Sequence, residues 1–290
     1  MENVLEVNNV SKNYGDFKLD HVSFSIPKGC ICGYFGQNGA GKTTTIQLIL
    51  DIIKMDSGRI NMFGKDIDRD GPVLKEKVGV VFDEMGFHEF LNGNEINNIM
   101  KNIYANWNEE AFFQYLNYFS LPRKKRCGSF SRGMRMKLQI AVALSHGAEL
   151  LIMDEPTSGL DPIARNEIIQ IFQEFVMEEN HTLLLSSHIT GDLERIADQI
   201  VFIDHGKIVL SGDKNEILDS HGLLKCKKEE LSQISNEDIV GVRQSAFSTE
   251  VLISNKAECC EKYSKMMLEP ANLEEIMIFY ASKSQEMRKS

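Results

Sequence analysis

Eight residues, Gly36-Gln37-Asn38-Gly39-Ala40-Gly41-Lys42-Thr43, constrain this chain more than any other segment. They fit the pattern Gly-x-x-x-x-Gly-Lys-Ser/Thr, in which backbone amides of a glycine-rich loop cradle phosphates and the lysine reaches the β and γ phosphates. Such a loop works between a buried strand and the N-terminus of a helix, whose partial positive charge it aims at the anion. The flanks supply both: Ile31-Cys32-Gly33-Tyr34-Phe35 reads as a buried strand, and Ile46, Ile49, Leu50 and Ile53 recur at helical spacing. The loop therefore predicts an α/β fold with a phosphate at the strand-to-helix junction. Gly36, Gly39 and Gly41 let the backbone approach, Lys42 supplies a point charge, and the Thr43 hydroxyl is a candidate Mg²⁺ ligand. Gln37, Asn38, Ala40 and Thr44 complete the candidate contacts.

A second apolar run, Leu150-Leu151-Ile152-Met153, ends in Asp154-Glu155, which puts two carboxylates where a buried parallel strand emerges. Pro156-Thr157-Ser158-Gly159-Leu160-Asp161 follows directly, and a third apolar run, Thr182 to Ser186, leads into Ser187-His188. Between the loop and the acids lies Phe130-Ser131-Arg132-Gly133-Met134. A helix is expected after it, because Met134, Leu138, Ala141, Val142 and Ser145 share one face.

Taken in that order, these segments resemble the ATP-binding cassette (ABC) family over about residues 1 to 213. The resemblance implies an α/β P-loop NTPase fold: a RecA-like parallel sheet, an antiparallel β subdomain, a helical signature subdomain at about 83–145, and a small α+β extension at 214–290. It also implies roles. Asp154 would hold Mg²⁺, Glu155 would polarise the attacking water, and His188 would contact the γ-phosphate. Tyr14, in Val10-Ser11-Lys12-Asn13-Tyr14-Gly15, would stack on adenine. Ser131, Arg132, Gly133 and Met134 would face ATP on a second cassette, and Ser158, Gly159, Leu160 and Asp161 would form the loop between the two copies.

Two places depart from the family pattern. The signature is usually Leu-Ser-Gly-Gly-Gln, so Phe130, Arg132 and Met134 differ; Arg132 adds a charge that either touches phosphate or lies in solvent. Where the family has a glutamine after the strand Val78 to Phe82, this chain has Asp83, a candidate Mg²⁺ ligand with Glu84 beside it.

The separate cassette with its Phe-Ser-x-Gly-Met segment most resembles bacterial ABC-2 type exporters, including those that expel antimicrobial peptides or phenol-soluble modulins. The resemblance implies a Mg²⁺-dependent ATPase that partners a transmembrane permease and a second cassette, identical or paralogous, on the inner face of the cell membrane. The rivals are a non-transport ABC ATPase acting on nucleic acid or the ribosome, and a regulatory ATP-binding module without turnover.

Composition bears on those rivals. A formal charge of −10 opposes the phosphate backbone of nucleic acid, and Arg123-Lys124-Lys125-Arg126 is the main basic exception, a solvated face or a contact for a partner or lipid. No apolar stretch approaches the roughly 20 residues that span a bilayer, and no signal-peptide pattern opens the chain, so a cytoplasmic location is expected. The six cysteines form no metal or disulfide framework and read as reduced thiols.

Coarse periodicity fills in the rest. Asp56-Ser57-Gly58 turns into a strand at Arg59 to Phe63. Residues 83–145 read as helical, with Ile96, Ile99, Met100 and Ile103 on one face and Phe112, Phe113, Leu116 and Phe119 on another. Met85, Phe87, Phe90 and the stretch through Trp107 line either the core or a groove for the permease. Gln199 to Ile203 and Lys207 to Leu210 are expected to finish the parallel sheet. In the tail, Val251-Leu252-Ile253 reads as a strand and Asn272-Leu273-Glu274-Glu275 opens a helix with Ile276, Phe279 and Tyr280 on its apolar side. The tail is expected to be a dimer contact or a cover on the core.

Overall fold

A computed structural model describes residues 2–84, 86–178, 180–244 and 248–289; Met85 lies outside the described residues. The chain begins with the antiparallel pair β1 (Asn3–Asn13) and β2 (Lys18–Pro27), then passes through β3 (Ile31–Phe35) into α1 (Lys42–Ile49). It returns as β4 (Ser57–Met62) and β5 (Lys65–Asp66), followed by α2 (Ile67–Lys75) and β6 (Val78–Val81). Helices α3 (Gly93–Ile103), α4 (Glu109–Tyr118) and α5 (Arg132–Leu144) come next. The chain then runs β7 (Leu150–Asp154), α6 (Pro162–Met177), β8 (Thr182–Ser187), α7 (Thr190–Ile196), β9 (Gln199–Asp204) and β10 (Lys207–Asp213). The tail comprises α8 (Lys214–Ser220), β11 (Gly222–Cys226), β12 (Ile239–Gln244), β13 (Thr249–Ile253), α9 (Lys256–Lys262), β14 (Met267–Pro270) and α10 (Leu273–Lys289).

Two sheets build the cassette. One, ordered β2-β1-β4-β5, is antiparallel and one-faced: along β2 the buried residues Leu19, Val22, Phe24 and Ile26 alternate with polar ones. The other is ordered β10-β9-β3-β8-β7-β6, and every residue of β3, β7 and β8 is buried, as expected of parallel strands covered on both faces. Because β3 lies beside β8 and β8 beside β7, the three segments that end in the phosphate loop, the acid pair and His188 finish side by side.

The expectation that Lys207 to Leu210 continues the parallel sheet is corrected. β10 pairs antiparallel with β9, Lys207 opposite Asp204. Only His205 and Gly206 join them, both with positive φ (44° and 77°), which is a primed hairpin turn and far too short for a parallel crossover.

The helical region is less continuous than its periodicity suggests, since the described residues between Val81 and Gly93 and between Tyr118 and Arg132 are mostly turns and loops. α3 starts at a capping box, Asn92 with Glu95, and α4 at Asn108, whose side chain accepts from Ala111 N–H. Of the first expected face only Ile96 and Met100 are buried; Ile99 and Ile103 sit one step around the helix and are exposed. Phe112, Leu116 and Phe119 are buried, with Phe113 packed at their edge. The aromatic stretch divides: Phe87 and Trp107 pack against the core, whereas Phe90 is 58% exposed.

The tail forms a third, antiparallel sheet, β12-β13-β11-β14, around Leu224, Val251, Ile253, Cys259 and Tyr263. On α10, Leu273, Ile276, Met277 and Phe279 are buried in the same cluster as Leu193, Ile196 and Ile200 of the cassette, so this helix covers the core, as one of the two expectations has it. Tyr280 lies at the margin and meets His221 through its hydroxyl, 3.1 Å from Nε2. No helix among the described residues is long and apolar enough to cross a membrane. All six cysteines are free, and burial pushes the Cys30 thiol up to about 12.

Candidate functional site

The loop between β3 and α1 owes its shape to glycine. Gly41 occupies the N-cap of α1 at φ 113°, and a Cβ there would meet Leu19 and Phe17 at 2.8 and 2.9 Å. A Cβ on Gly36 would stand 2.6 Å from the backbone oxygen of Ile203, so Gly36 admits no side chain without moving the sheet, while Gly41 is held to glycine by its left-handed φ and the two side chains above it. The loop is pinned by Ala40 N–H donating to Gln37 O (3.1 Å) and by Gly206 N–H donating to Ala40 O (2.8 Å). The hairpin between β9 and β10 thus braces the phosphate loop from below.

Lys42 folds back over that loop. Its buried ammonium donates to the carbonyls of Gly36 (2.7 Å) and Gln37 (3.3 Å) and lies 3.0 Å from Glu155 Oε1, an ion pair off the line of a hydrogen bond. Thr43 Oγ1 donates to Asp154 Oδ2 at 2.7 Å, and Ser186 Oγ donates to Asp154 Oδ1 at 2.5 Å. Asp154 and Ser186 are register partners across β7 and β8, which places the Ser186 hydroxyl on one carboxylate oxygen, while the first turn of α1 brings Thr43 to the other.

Glu155 leaves the strand at φ 51°, unusual for a residue with a side chain. Its N–H is held by Ser186, through the carbonyl (3.2 Å) and Oγ (3.0 Å). That turn brings Oε2 to 2.7 Å from His188 Nδ1. An ionised carboxylate only accepts, so Nδ1 carries a proton and Nε2 is the ring nitrogen left to meet a ligand. A cavity of about 370 Å³ opens here, lined by Phe17, Asn38, Gly39, Gly41, Lys42, Thr43, Thr44 and Glu155.

Beside it, α5 begins at Ser131, whose side chain accepts from Met134 N–H (3.3 Å), and α6 begins at Asp161, whose carboxylate accepts from Ile163 and Ala164 N–H, both 3.0 Å. Leu160 and Ala164 flank Gly133, so the Ser131 and Ser158 segments are neighbours. Arg132 forms an ion pair with Asp83, and its guanidinium passes over Gly159, where a Cβ would meet Nη1 at 2.6 Å. Gln139, buried on α5, donates to Phe82 O at 3.1 Å and ties the approach to Asp83 onto the same helix.

The structure therefore brings Lys42, Thr43, Asp154, Glu155 and His188 together, and Arg132 with Gly159 in a second cluster. Asp83 belongs with the second: its recorded partner is Arg132, not Thr43 or Asp154. Arg132 is about half exposed and pairs with Asp83 within its own chain. Tyr14 is 52% exposed and does not line the loop cavity; Phe17, three residues on and bonded to the Tyr14 N–H through its carbonyl (2.9 Å), does. The spacing Tyr14-x-x-Phe17 was the available signal for Phe17, and Ser186 at a strand end before His188 the signal for the residue that holds the acid pair.

A mostly parallel sheet with a phosphate loop after one strand and a buried acid at the end of a neighbour defines a P-loop nucleotide-binding protein. Residues 19–158 match the ABC transporter family. The chain is 36% identical over 212 residues to the bacitracin transport ATP-binding protein BcrA of Bacillus licheniformis, covering 72% of this chain and 69% of that protein. It is 32% identical over 256 residues to the linearmycin resistance ATP-binding protein LnrL of Bacillus subtilis (strain 168), covering 86% of this chain and 82% of that one. Among solved structures, an ATP binding subunit of an ABC transporter superposes with a TM-score of 0.67 at 26% identity, covering 74% of this chain and 92% of that chain. The chain belongs to the ABC transporter family, as an ATP-binding subunit with transport-coupled ATPase activity.

Proposed function

We propose that this chain powers an exporter of antimicrobial peptides or other amphipathic compounds, the phenol-soluble modulins being one class of such cargo, by closing with a second cassette around Mg²⁺·ATP. The observation that carries the reading is the single cluster in which Lys42, Thr43, Asp154, Glu155 and His188 meet at the ends of three adjacent strands. The names of the relatives, bacitracin transport and linearmycin resistance, support the cargo class.

In this reading the phosphates bind along the amides of Gly39 to Thr44 at the N-terminus of α1, and the ammonium of Lys42 turns from the carbonyls of Gly36 and Gln37 to the β and γ phosphates. Phe17 or Tyr14 stacks on the adenine. Thr43 and Asp154 fit a magnesium ion: both are oxygen donors and they already touch. Mg²⁺ is commonly held by one or two protein oxygens plus substrate phosphates, and it supplies charge neutralisation there.

Glu155 accepts a hydrogen bond from the attacking water and draws its proton as the oxygen approaches phosphorus; the bond to the β-phosphate oxygen breaks and ADP leaves. His188, oriented by Glu155 through Nδ1, donates from Nε2–H to the γ-phosphate, with both ring nitrogens then serving as donors. Ser131, Gly133 and the N-terminus of α5 meet the γ-phosphate bound to the second cassette, with Ser158 to Asp161 between the two copies. ATP drives closure to the extent that it binds the closed state more tightly. A transmembrane permease converts that motion into export, and holds the chain on the inner face of the membrane.

Purification from native membranes in mild detergent, followed by mass spectrometry, tests the assignment. A multi-span membrane protein in near-equal amount supports it; ribosomes or DNA in its place would overturn it.

A further inference from the structure

Two departures from the family pattern, Arg132 in the signature and Asp83 after β6, are 49 residues apart in sequence and meet as one ion pair. Both side chains are about half exposed (47% and 48%), and the guanidinium also crosses Gly159 in the loop after the acid pair. We propose that Arg132 is a phosphate-binding residue held in reserve: Asp83 keeps it within its own chain, and the γ-phosphate of ATP on a second copy takes it over at closure. The inference rests on the reading that the Ser131 segment faces the nucleotide of a second cassette.

The energetics favour such an exchange. An ion pair this exposed is weak, because water competes for both charges and two long side chains lose freedom. A triphosphate offers guanidinium several charged oxygens in bidentate geometry, and closure would remove the competing water. Position agrees as well. Arg132 is the first residue of α5, directly after the cap Ser131, and thus stands at the helix end that presents its amides to an anion. Gly159 has φ 65° and no side chain, and any Cβ there would collide with the guanidinium that lies against it. Asp83 in turn is fixed from behind, where Gln139 of the same helix holds the Phe82 carbonyl. The carboxylate thereby becomes a positioning residue whose influence passes through Arg132.

The test is ATP-driven self-association of the full-length Glu155→Gln protein, followed by sedimentation velocity as ATP is titrated. On that background Arg132→Ala should raise the ATP concentration for half-association by tenfold or more, as expected for loss of a charge-assisted bond. Asp83→Asn should lower it about two- to fivefold, the scale of an exposed ion pair. Arg132→Lys should lie between parent and Arg132→Ala. The double variant should match Arg132→Ala, because Asp83 has nothing to restrain once the guanidinium is gone. An Asp83→Asn effect that persists without Arg132, or an Arg132→Ala protein that associates like the parent, would overturn the proposal. If Glu155→Gln itself never self-associates with ATP, the reading of an identical second cassette fails first, and this inference with it.

Discussion

Nδ1 of His188 lies 2.7 Å from Oε2 of Glu155, while Oε1 of the same carboxylate lies 3.0 Å from the ammonium of Lys42. One carboxylate thus links the lysine of the phosphate loop to the histidine at the next strand end. His188→Ala should leave ATP binding within about threefold and lower the turnover rate by roughly 10²-fold, the low end of what a positioned proton-transfer partner contributes. Steady-state ATPase at saturating ATP, paired with a nucleotide-binding titration, separates the two; a large loss of binding with turnover intact would contradict the arrangement.

Two glycines of the same loop should respond differently to alanine. At Gly36 the new Cβ meets a backbone oxygen at 2.6 Å, and the strand cannot yield cheaply, so Gly36→Ala should cost about 1–3 kcal/mol of stability and abolish nucleotide binding. At Gly39, φ is 80° but nothing lies within 4 Å, so Gly39→Ala should cost only the left-handed conformation, about 1 kcal/mol. Denaturant unfolding ranks them; the reverse order would show that the loop is not braced by the strand at Ile203.

The contacts of Asp154 predict its metal dependence. The buried carboxylate accepts from Thr43 and Ser186, and asparagine fills the same space without the charge. Chelation should stop ATP hydrolysis by the parent and added Mg²⁺ restore it, whereas Asp154→Asn should need at least about tenfold more Mg²⁺. Equal Mg²⁺ requirements in a titration of the two proteins would move the metal elsewhere.

Stability should fall on mild acidification. Burial pulls the pKa of His146 and His221 below the ordinary histidine value of 6.5, opposed by the carbonyls of Glu76 and Ile217. A depressed histidine binds its proton more readily unfolded, so the folded state loses ground as pH drops below about 6.5. Asp20, whose pKa is lowered to about 2 first by Lys18 and then by Lys207, acts only below about 4 and does not confuse the window. His146 Nε2 is buried without a hydrogen-bond partner and its ring stacks on Tyr104 at 4.0 Å, so His146→Phe should keep the stack and flatten the dependence. Urea midpoints at pH 5.5 and 7.5 check this; an unchanged slope in the variant would contradict it.

The parts of this molecule legible in sequence are those written in consecutive residues. Gly36 to Thr43 sits in one stretch because a strand, a turn and a helix end must follow one another, and Asp154-Glu155 is legible because a buried strand must end before its acids. The pairing of Arg132 with Asp83 is not local: it depends on how α5 lies against the end of β6, which no periodicity reports. Ser186 is hidden for the same reason, since its role follows from register with Asp154 across two parallel strands. The direction of β10 hung on a two-residue turn, and β11, β12 and β14 are short apolar runs broken by Lys225, Gly241 and Glu269, so they do not stand out from loop. Ile99 and Ile103 share helical spacing with Ile96 and Met100 yet remain exposed, because periodicity gives a face without its width.

The central claim is that Glu155, held between Lys42 and His188, drives ATP hydrolysis. The most direct measurement is the ATPase rate of Glu155→Gln at saturating Mg²⁺·ATP beside its ATP affinity. The variant should bind ATP at least as well as the parent and hydrolyse it at least about 10²-fold more slowly. Hydrolysis at the parental rate would contradict the account and return the water-activating role to another group.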